Sequence, residues 1–366
     1  MENIATFRAI TRQFDISGAV CSIEPLTSGH INSTYCVKTD DAAQYTLQRI
    51  NQYVFHDPAA VMENILHVTA HIKKSLAAEG ADVARESLTV ILTRDGLPYY
   101  LDEDGEYWRL YRYIGNAHTL NFVQDPKQLY DAGFGFGRFQ CMLSDFPIDT
   151  LHETIPDFHN TRLRYAQLME AYERDVCGRA KDVAPDVEFF RARAEELSLL
   201  VAMTERGELP LRVTHNDTKF NNILLDDETG AALSVIDLDT VMPGLLVNDF
   251  GDAIRYAANT AEEDETDLAR VGLDLAAYQH FADGFLTALR GRITPKEFEM
   301  LPWGAKIITM ELAMRFLADH LNGDRYFKIQ HENHNLERAR CQIRLAQSME
   351  EQFDEMVRRI APHRPV

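Results

Sequence analysis

The segment 215–237 constrains the fold of this chain more than any other stretch. It reads HNDTKFNNILLDDETGAALSVID, in which two apolar runs, ILL and LSVID, flank the polar residues DDETGA. That pattern predicts a β-hairpin with its turn at Thr229-Gly230. The corresponding antiparallel register places Asn222 opposite Asp237 at the open end, with Asp217 one short loop away. The sequence therefore predicts three oxygen-bearing side chains at the mouth of one hairpin.

This set of side chains suits phosphoryl transfer. Mg²⁺ takes one or two carboxylates, amide oxygens and substrate phosphates as ligands, and Lys219 adds a compact positive charge. An aspartate that orients the attacking hydroxyl, with an asparagine and a second aspartate on the metal, forms the usual phosphoryl-transfer site. The spacing of Asp217 and Asn222 is that of the protein-kinase catalytic loop. The alternative, a capped turn with a solvated Asp217, would make the whole set a coincidence.

Strands dominate the front of the chain and helices the back. Apolar alternation and turn residues predict front strands over 19–26, 31–39, 44–50, 88–92 and 98–102, a helix over 61–80, and a last strand that reaches a turn at Gly115. From Pro126 the pattern is helical, except for the hairpin region 213–241. We therefore predict a bilobal α+β fold. A small antiparallel-sheet lobe, residues 1–113, binds nucleotide, and a larger, mainly helical lobe, residues 114–366, carries catalysis and the acceptor, with a cleft between them.

Composition excludes several classes of protein. The 57 acidic and 37 basic residues give a net charge of −20, which disfavours a nucleic-acid-binding surface. Five scattered cysteines among 366 residues indicate free thiols and a reducing compartment. No apolar run approaches the length of a membrane span, and the N-terminus has no signal-peptide core. We therefore expect a cytoplasmic protein without a membrane partner.

Longer motifs resemble a known superfamily. VTHNDTKFNNILL followed by VIDLDTVMPGLLVNDFGDAIR resembles the aminoglycoside phosphotransferases and choline kinases, which have a protein-kinase-like fold. LTSGHINSTY, WRLYRYI, AIRYAANTAEEDE and MRFLADHLNGDRYF are similar to the N-acetylhexosamine 1-kinases. This resemblance implies that Asp217 is the general base, Lys219 a phosphate contact, and Asn222 and Asp237 the Mg²⁺ ligands. It implies that ATP phosphorylates the anomeric hydroxyl of N-acetylglucosamine or N-acetylgalactosamine.

The nucleotide site is predicted in the front lobe. Ser28 and Gly29 lie between the first two strands, where a phosphate-covering loop belongs, although a single glycine leaves this assignment to position and resemblance. Protein kinases carry a phosphate-binding lysine on the third strand, where this chain has Gln48. Gln48 either donates a hydrogen bond to phosphate or is an ordinary polar strand residue. Tyr113, after the last front strand, is also assigned to the nucleotide.

The acceptor site and a second metal position have weaker signals. Arg315 lies four residues after Glu311 on a predicted helix, which is typical of a surface ion pair. Its apolar surroundings and the resemblance favour a contact with the sugar instead. His30 and Asn32 are further candidates for hydrogen bonds to sugar hydroxyls. Alternation places Asp239 on the same side as Asp237, so it either reaches a metal or is solvated.

Three motifs are interpreted as structural. Asp249-Phe250-Gly251 spells the kinase DFG motif but lies outside the hairpin, so we predict that Asp249 caps a helix or supports the 215–222 loop. GFGFG at 133–137 follows no strand and indicates close helix packing, not a phosphate loop. His331 and His334 have no third ligand nearby and are expected to be solvated.

Two rival functions remain open at this stage. An aminoglycoside or amino-alcohol kinase would need acidic or aromatic surroundings for a cation, and a choline-type cage favours tryptophan. The chain has only two tryptophans, Trp108 and Trp303, which disfavours such a cage. A nucleotide-binding pseudokinase that serves as an interaction module would not need Asp217, Asn222 and Asp237 together.

Overall fold

The computed structural model describes residues 4–26, 31–120, 123, 125–289 and 291–365. Its helices are α1 (Ile4–Thr11), α2 (Pro58–Glu79), α3 (Val83–Glu86), α4 (Pro126–Met142), α5 (Thr161–Arg174), α6 (Ala184–Arg191), α7 (Ala194–Leu197), α8 (Leu199–Glu205), α9 (Leu246–Ala257), α10 (Leu275–Leu289), α11 (Pro295–Leu321), α12 (His334–Glu351) and α13 (Phe353–Ile360). Its strands are β1 (Val20–Leu26), β2 (Ser33–Thr39), β3 (Gln44–Arg49), β4 (Val90–Ile91), β5 (Tyr100–Leu101), β6 (Tyr107–Arg112), β7 (Ala117–His118), β8 (Arg212–Thr214), β9 (Ile223–Asp226), β10 (Ala232–Val235) and β11 (Met242–Gly244). None of the helices in these ranges combines the length and the apolarity that a membrane crossing requires.

The chain divides into two compact units. The first comprises Met1–His118, Asp145–Pro156 and Leu224–Pro243, and the second comprises the remaining segments, Thr119–Ser144, Asp157–Ile223 and Gly244–Val366. The first unit thus includes two segments from the range 114–366 that was predicted to form the larger lobe. One of them contains most of the β9–β10 hairpin, whose β9 pairs with β7.

An antiparallel sheet forms the centre of the first unit. Its strand order is β1-β2-β3-β6-β4, with β5 also on β6, and this confirms the predicted small antiparallel sheet. α1, which the sequence analysis does not predict, packs Phe7 and Ile10 into the apolar face of this sheet together with Val37, Leu47 and Leu110. α2 ends before Gly80, which has a left-handed φ of 71°, as the predicted stop requires.

The turn of the β9–β10 hairpin is centred one residue earlier than predicted. The Asp226 N–H donates to the carbonyl of Ala231 over 2.9 Å, so the turn comprises residues 227–230. The Asp226 carboxylate stabilises it, because Oδ1 accepts from the backbone N–H groups of Glu228 and Thr229 at 3.1 and 2.9 Å. Side-chain hydrogen bonds of this kind from Asp fix the position of a turn.

The predicted pairing of Asn222 with Asp237 is therefore wrong. Its register assumes a turn centred between residues 229 and 230, whereas the observed centre lies one residue earlier. β10 ends at Val235, and Asp237 follows it in a left-handed conformation with a φ of 60°. A non-glycine residue held in this conformation costs about 1–3 kcal/mol and is concentrated at functional sites.

Helices form most of the second unit, as predicted from Pro126 onward. α4 contains the GFGFG motif, and a Cβ atom at Gly133 or Gly137 would lie 2.1 or 2.3 Å from the carbonyl oxygens of Phe281 and Phe285 on α10. These glycines therefore permit two helix backbones to approach closely, and the structural interpretation of GFGFG is confirmed.

Candidate active site

The 215–222 loop is held by a buried carboxylate in α9. Asp249 is 1% exposed, and its oxygens accept the backbone N–H groups of His215 and Asn216 at 2.8 and 2.7 Å. Gln140 donates to the same carboxylate at 2.6 Å, and the Thr218 hydroxyl donates to the Asp249 carbonyl at 2.5 Å. Asp249 is therefore the buried partner of the loop, one of the two predicted roles, and lies inside the helix, not at its N-cap.

Burial raises the pKa of Asp249, although His215 and the donated N–H groups act in the opposite direction. The loop that Asp249 supports contains Asn216 in a left-handed conformation, with a φ of 64°. Three hydrogen bonds to the Asp249 carboxylate and a fourth to its backbone carbonyl thus fix a strained backbone in place.

The loop brings together three of the predicted site residues. Lys219 Nζ lies 3.0 Å from Asp217 Oδ2. Asn222 Nδ2 donates to Asp217 Oδ2 at 2.9 Å and to its carbonyl at 2.8 Å. The Asp217 side chain is 28% exposed, so a small molecule can reach it.

The charge state of Asp217 follows from these neighbours. Burial favours the neutral acid, but the charges of Lys219 and His215 and the hydrogen bonds from Lys219 and Asn222 outweigh it. The pKa of Asp217 is therefore lowered from its ordinary value. Asp217 is a carboxylate at neutral pH, the form that can accept a proton.

Asp239, in the first unit, has both carboxylate oxygens engaged. Oδ1 forms a close ion pair with Arg109, whose side chain is 1% exposed, and Oδ2 accepts from Asn32 Nδ2 at 2.6 Å. Asn32 Oδ1 in turn accepts the backbone N–H of Asn51 at 3.0 Å. Both predicted candidates, Asn32 and Asp239, thus belong to one buried network.

Arg109 extends this network to Gln48. The two residues face each other across β3 and β6, and Arg109 Nε donates to Gln48 Oε1 at 2.9 Å. Gln48 Nε2 donates to the Thr34 hydroxyl at 3.1 Å, so both ends of its amide are used within the sheet. The guanidinium also stacks on Tyr111, 5.1 Å from the ring centroid. A buried arginine therefore lies directly beside the third-strand position where protein kinases have a lysine.

Arg109 is the main site residue that the sequence analysis missed. An arginine on an alternating strand is normally assigned to the solvent side, and the WRLYRYI motif around it gave a resemblance but no role for this residue. The available signal was positional, because antiparallel pairing of β3 with β6 places Arg109 opposite Gln48.

The remaining front-lobe candidates are Tyr113, Ser28, Gly29 and His30. Tyr113 follows β6, is 39% exposed, and its N–H donates to the Gln44 carbonyl at 3.1 Å. Ser28, Gly29 and His30 lie outside the described residues.

Arg315, on α11 in the second unit, lies among three aromatic rings. Its guanidinium carbon is 5.4 Å from the Phe158 ring centroid, 5.8 Å from that of Tyr326 and 5.6 Å from that of Phe327. The predicted partner Glu311 lies 4.0 Å away and is buried. Arg315 is 18% exposed, so it is a partly buried cation and not one half of a surface pair.

The carboxylate of Glu311 serves a second cation. His159 Nδ1 lies 3.1 Å from Glu311 Oε2. Burial lowers the pKa of His159, but the charge of Glu311 and the hydrogen bond to it outweigh burial, and the net pKa is raised. The sequence gave no signal for His159, which is 152 residues from Glu311. Arg315 and a proton-binding histidine thus share one buried carboxylate.

The loop that follows α11 is fixed by Asp319. Its carboxylate accepts the backbone N–H groups of Arg325 and Tyr326 at 2.9 Å and of Phe327 at 3.0 Å. Asn335 on α12 also donates to it at 3.0 Å. Two of the three aromatic residues around Arg315, Tyr326 and Phe327, are therefore held through their backbone N–H groups by one buried aspartate.

His334 does not match its prediction. It begins α12, is completely buried, and its Nε2 lies 3.0 Å from Asp264 Oδ2. Helix packing, which a polar loop sequence does not indicate, removes it from solvent, while His331 is exposed. No cluster of three or more His, Cys, Asp or Glu side chains suited to a metal occurs within the described ranges.

Known proteins share this fold. A choline kinase from Cryptosporidium parvum Iowa II is 12% identical, with a TM-score of 0.58 over 98% of this chain and 99% of that chain. An aminoglycoside phosphotransferase from Alicyclobacillus acidocaldarius is 14% identical, with a TM-score of 0.58 over 95% and 96%. An amicoumacin kinase in complex with AMP-PNP, Ca²⁺ and Ami is 11% identical, with a TM-score of 0.59 over 96% and 94%. At these identities the likeness concerns the fold, which is protein-kinase-like.

The family follows from the sequence itself. The model of the phosphotransferase enzyme family APH matches residues 22–284, which is more than half of the chain. This range includes the 215–222 loop, the hairpin and α9. The chain belongs to the APH phosphotransferase enzyme family.

Proposed function

We propose that the chain is an ATP-dependent kinase of N-acetylhexosamines that phosphorylates the anomeric hydroxyl of N-acetylglucosamine or N-acetylgalactosamine. The observation that carries the choice of acceptor is the Arg315 cluster. A partly exposed guanidinium, framed by aromatic rings and accompanied by His159, repels a cationic acceptor and suits a neutral one. Aromatic faces also pack well against the apolar face of a sugar ring.

Asp217 is the proposed base. Its lowered pKa keeps it ionised, so it can orient the anomeric hydroxyl and accept its proton as the phosphoryl group is transferred. Lys219, 3.0 Å from this carboxylate, is the proposed phosphate contact, because a compact ammonium group can offset the negative charge of the transferred group.

Asn222 and Asp237 are the proposed Mg²⁺ ligands. One amide oxygen and one carboxylate fit the hard, oxygen-rich ligand set of this ion, which completes its shell with waters and phosphates. The structure offers one supporting feature at each residue. Asn222 uses its Nδ2 on Asp217, which leaves Oδ1 as the atom for a cation, and Asp237 has the left-handed backbone described above. When bound, the ion would neutralise phosphate charge next to an acidic protein.

Asp239 is proposed to have a supporting role. Its oxygens already bind Arg109 and Asn32, so it anchors the segment that carries Asp237 in preference to binding a second ion. The nucleotide is assigned to the lobe of residues 1–113, with Ser28, Gly29, Gln48 and Tyr113 as its proposed contacts. His30 and Asn32 remain proposed acceptor contacts, and the lobe of residues 114–366 is proposed to carry catalysis.

An amino-alcohol or aminoglycoside kinase is the second candidate. The acidic segment 262–265, which reads EEDE, favours it, because cationic acceptors are bound by carboxylates. A pseudokinase is disfavoured by the hydrogen-bonded set of Asp217, Lys219 and Asn222.

Acceptor-dependent ADP release tests the proposal. The purified chain is incubated with ATP and Mg²⁺ and with N-acetylglucosamine, N-acetylgalactosamine, choline or kanamycin in turn. We expect release with the two sugars at rates at least about 10-fold above those with the amines. Release with choline or kanamycin alone would refute the sugar assignment and support the second candidate.

A further inference from the structure

A polar cavity of about 200 Å³ lies in the second unit between the end of α9 and one face of α12. Arg255 and Asn259 line it from the first side, Arg338 and Gln342 from the second, and Glu262 and Glu263 from the segment after α9. This volume is below the ~300–1,000 Å³ typical of pockets for drug-sized ligands. It therefore suits one small polar molecule and not a multi-ring antibiotic.

Gln342 is the residue that distinguishes this cavity from an ordinary polar surface. Its side chain is completely buried, and its Oε1 has no hydrogen-bond partner in the part of the chain that the structure describes. Its Nε2 lies 4.0 Å from Cys341 Sγ, a weak acceptor. A buried carbonyl without a donor is unfavourable, so a group that donates to it is expected.

The cavity is connected to the 215–222 loop. Arg255, in its wall, donates to Asp252 Oδ1 at 3.0 Å, and the other oxygen of Asp252 accepts the backbone N–H of Thr218, next to Asp217, at 3.0 Å. Tyr256, also in the wall, packs edge-on against Phe220 with 6.2 Å between ring centroids. A molecule in this cavity thus lies against the elements that support the proposed base.

The charges around the cavity are mostly paired within the protein. Arg255 Nη1 lies 2.8 Å from Glu263 Oε1, and Asp264 Oδ2 lies 3.0 Å from His334 Nε2. Arg338 donates to the Lys328 carbonyl at 3.1 Å. Because Glu263 and Asp264 already have partners and two guanidinium groups line the wall, the wall favours a neutral ligand over a cationic one.

We infer that this cavity is an acceptor subsite for a neutral, hydroxyl- or amide-bearing group of the sugar, and that Gln342 is its specificity-determining residue. The inference rests on the proposed function, since it assigns one polar substituent of the proposed sugar acceptor to this cavity. Gln342 Oε1 accepts a hydrogen bond from a sugar hydroxyl or from the acetamido N–H, both of which an N-acetylhexosamine provides.

Gln342→Met tests this role, because methionine has nearly the same shape and no amide. The matched control is Gln347→Met, which makes the same change on α12 at a residue outside the cavity wall. We expect Gln342→Met to raise the sugar KM about 10-fold or more, with an unchanged ATP KM. Its melting temperature should equal or exceed that of the wild type, because Gln342 Oε1 accepts no hydrogen bond within the described fold. Loss of an amide with a purely structural role would instead lower the melting temperature. Gln347→Met should change neither KM.

A binding measurement keeps the inference separate from the proposed function. The full chain is labelled with ¹⁵N at glutamine side chains, and the Gln342 amide signal is assigned from its loss in Gln342→Met. N-Acetylglucosamine is then added without nucleotide. A shift of the Gln342 signal, absent on addition of choline, supports the subsite. An unmoved signal, or an unchanged sugar KM in Gln342→Met, overturns it, whereas sugar-dependent ADP release by the wild type would still support the kinase proposal.

Discussion

The buried pair of Arg109 and Asp239 supports a quantitative prediction about the first unit. Arg109→Met removes the cation but leaves the Asp239 carboxylate 3% exposed, together with a Gln48 Oε1 that has lost its donor. Breaking one side of a buried ion pair typically costs about 3–5 kcal/mol, because the remaining charge is left unpaired. We therefore expect Arg109→Met to lower the free energy of unfolding of this unit by about 3–5 kcal/mol.

A double-mutant cycle isolates the charge from the loss of packing. Asp239→Asn removes the orphaned charge and keeps an oxygen for Asn32, so Arg109→Met with Asp239→Asn should be more stable than Arg109→Met alone. We expect a coupling energy of about 2–3 kcal/mol. Arg109→Lys should recover only part of the loss, since lysine cannot hold Asp239 and Gln48 at once with a planar fork.

Urea unfolding provides the assay. Trp108 lies in the first unit on β6, and Trp303 lies in the second on α11, so fluorescence in a Trp303→Phe background reports the first unit alone. A loss below about 1 kcal/mol for Arg109→Met, or a double variant no more stable than the single one, would refute the assignment of this pair as the stabilising element.

The remaining predictions concern the site and its pH dependence. Asp217→Asn keeps the shape of the base and removes its charge, so kcat should fall at least about 10²-fold with both KM values within a few-fold; near-normal turnover would exclude Asp217 as the base. Asp237→Ala should abolish turnover, while Asp249→Ala should act mainly by lowering the melting temperature. Steady-state rates and melting curves of both variants test this, and a folded but inactive Asp249→Ala beside an active Asp237→Ala would contradict the metal assignment. Arg315→Ala should raise the sugar KM well beyond the ATP KM, whereas equal, small changes would indicate a structural ion pair. The pKa of His159 is raised by Glu311 in the folded chain. The stability from this pair is therefore complete below about pH 6.5 and is lost as the pH rises through the raised pKa. His159→Gln should remove that part of the pH dependence of Tm, and an unchanged Tm profile would contradict this prediction.

Much of the fold followed from local sequence signals. The first three strands, the long helix that ends at Gly80 and the helical back half all have apolar periodicity with turn residues at their ends. α1 was not predicted, because eight residues without a predicted cap give a weak local signal. Its two core side chains become meaningful only once the sheet that they cover is known.

The site could be predicted where its reactive side chains lie close together in the sequence. Asp217, Lys219 and Asn222 are within six residues of one another, and the structure brings their side chains into contact. Spacing predicted a supporting role for Asp249, and the structure shows which groups of the 215–222 loop it holds. These inferences required short stretches of chain and no knowledge of long-range packing.

The rest depended on contacts between distant segments. Asp239 lies 207 residues from Asn32, so its engagement with the network could not be read from alternation along one strand. The hairpin register depended on one side chain, because the Asp226 carboxylate stabilises a turn that is centred one residue earlier than the residue types predict. His334 shows the same limitation, since burial under a helix is a tertiary property.

The position of the transferred phosphate tests the central claim most directly. The chain is incubated with ATP, Mg²⁺ and N-acetylglucosamine, and the sugar product is examined by proton-coupled ³¹P NMR and by a reducing-end assay. We predict a single 1-phosphate, coupled to the anomeric proton, acid-labile and without reducing-end reactivity. A 6-phosphate that remains reducing would contradict anomeric phosphorylation, and the absence of any phosphorylated N-acetylhexosamine would contradict the proposed function itself.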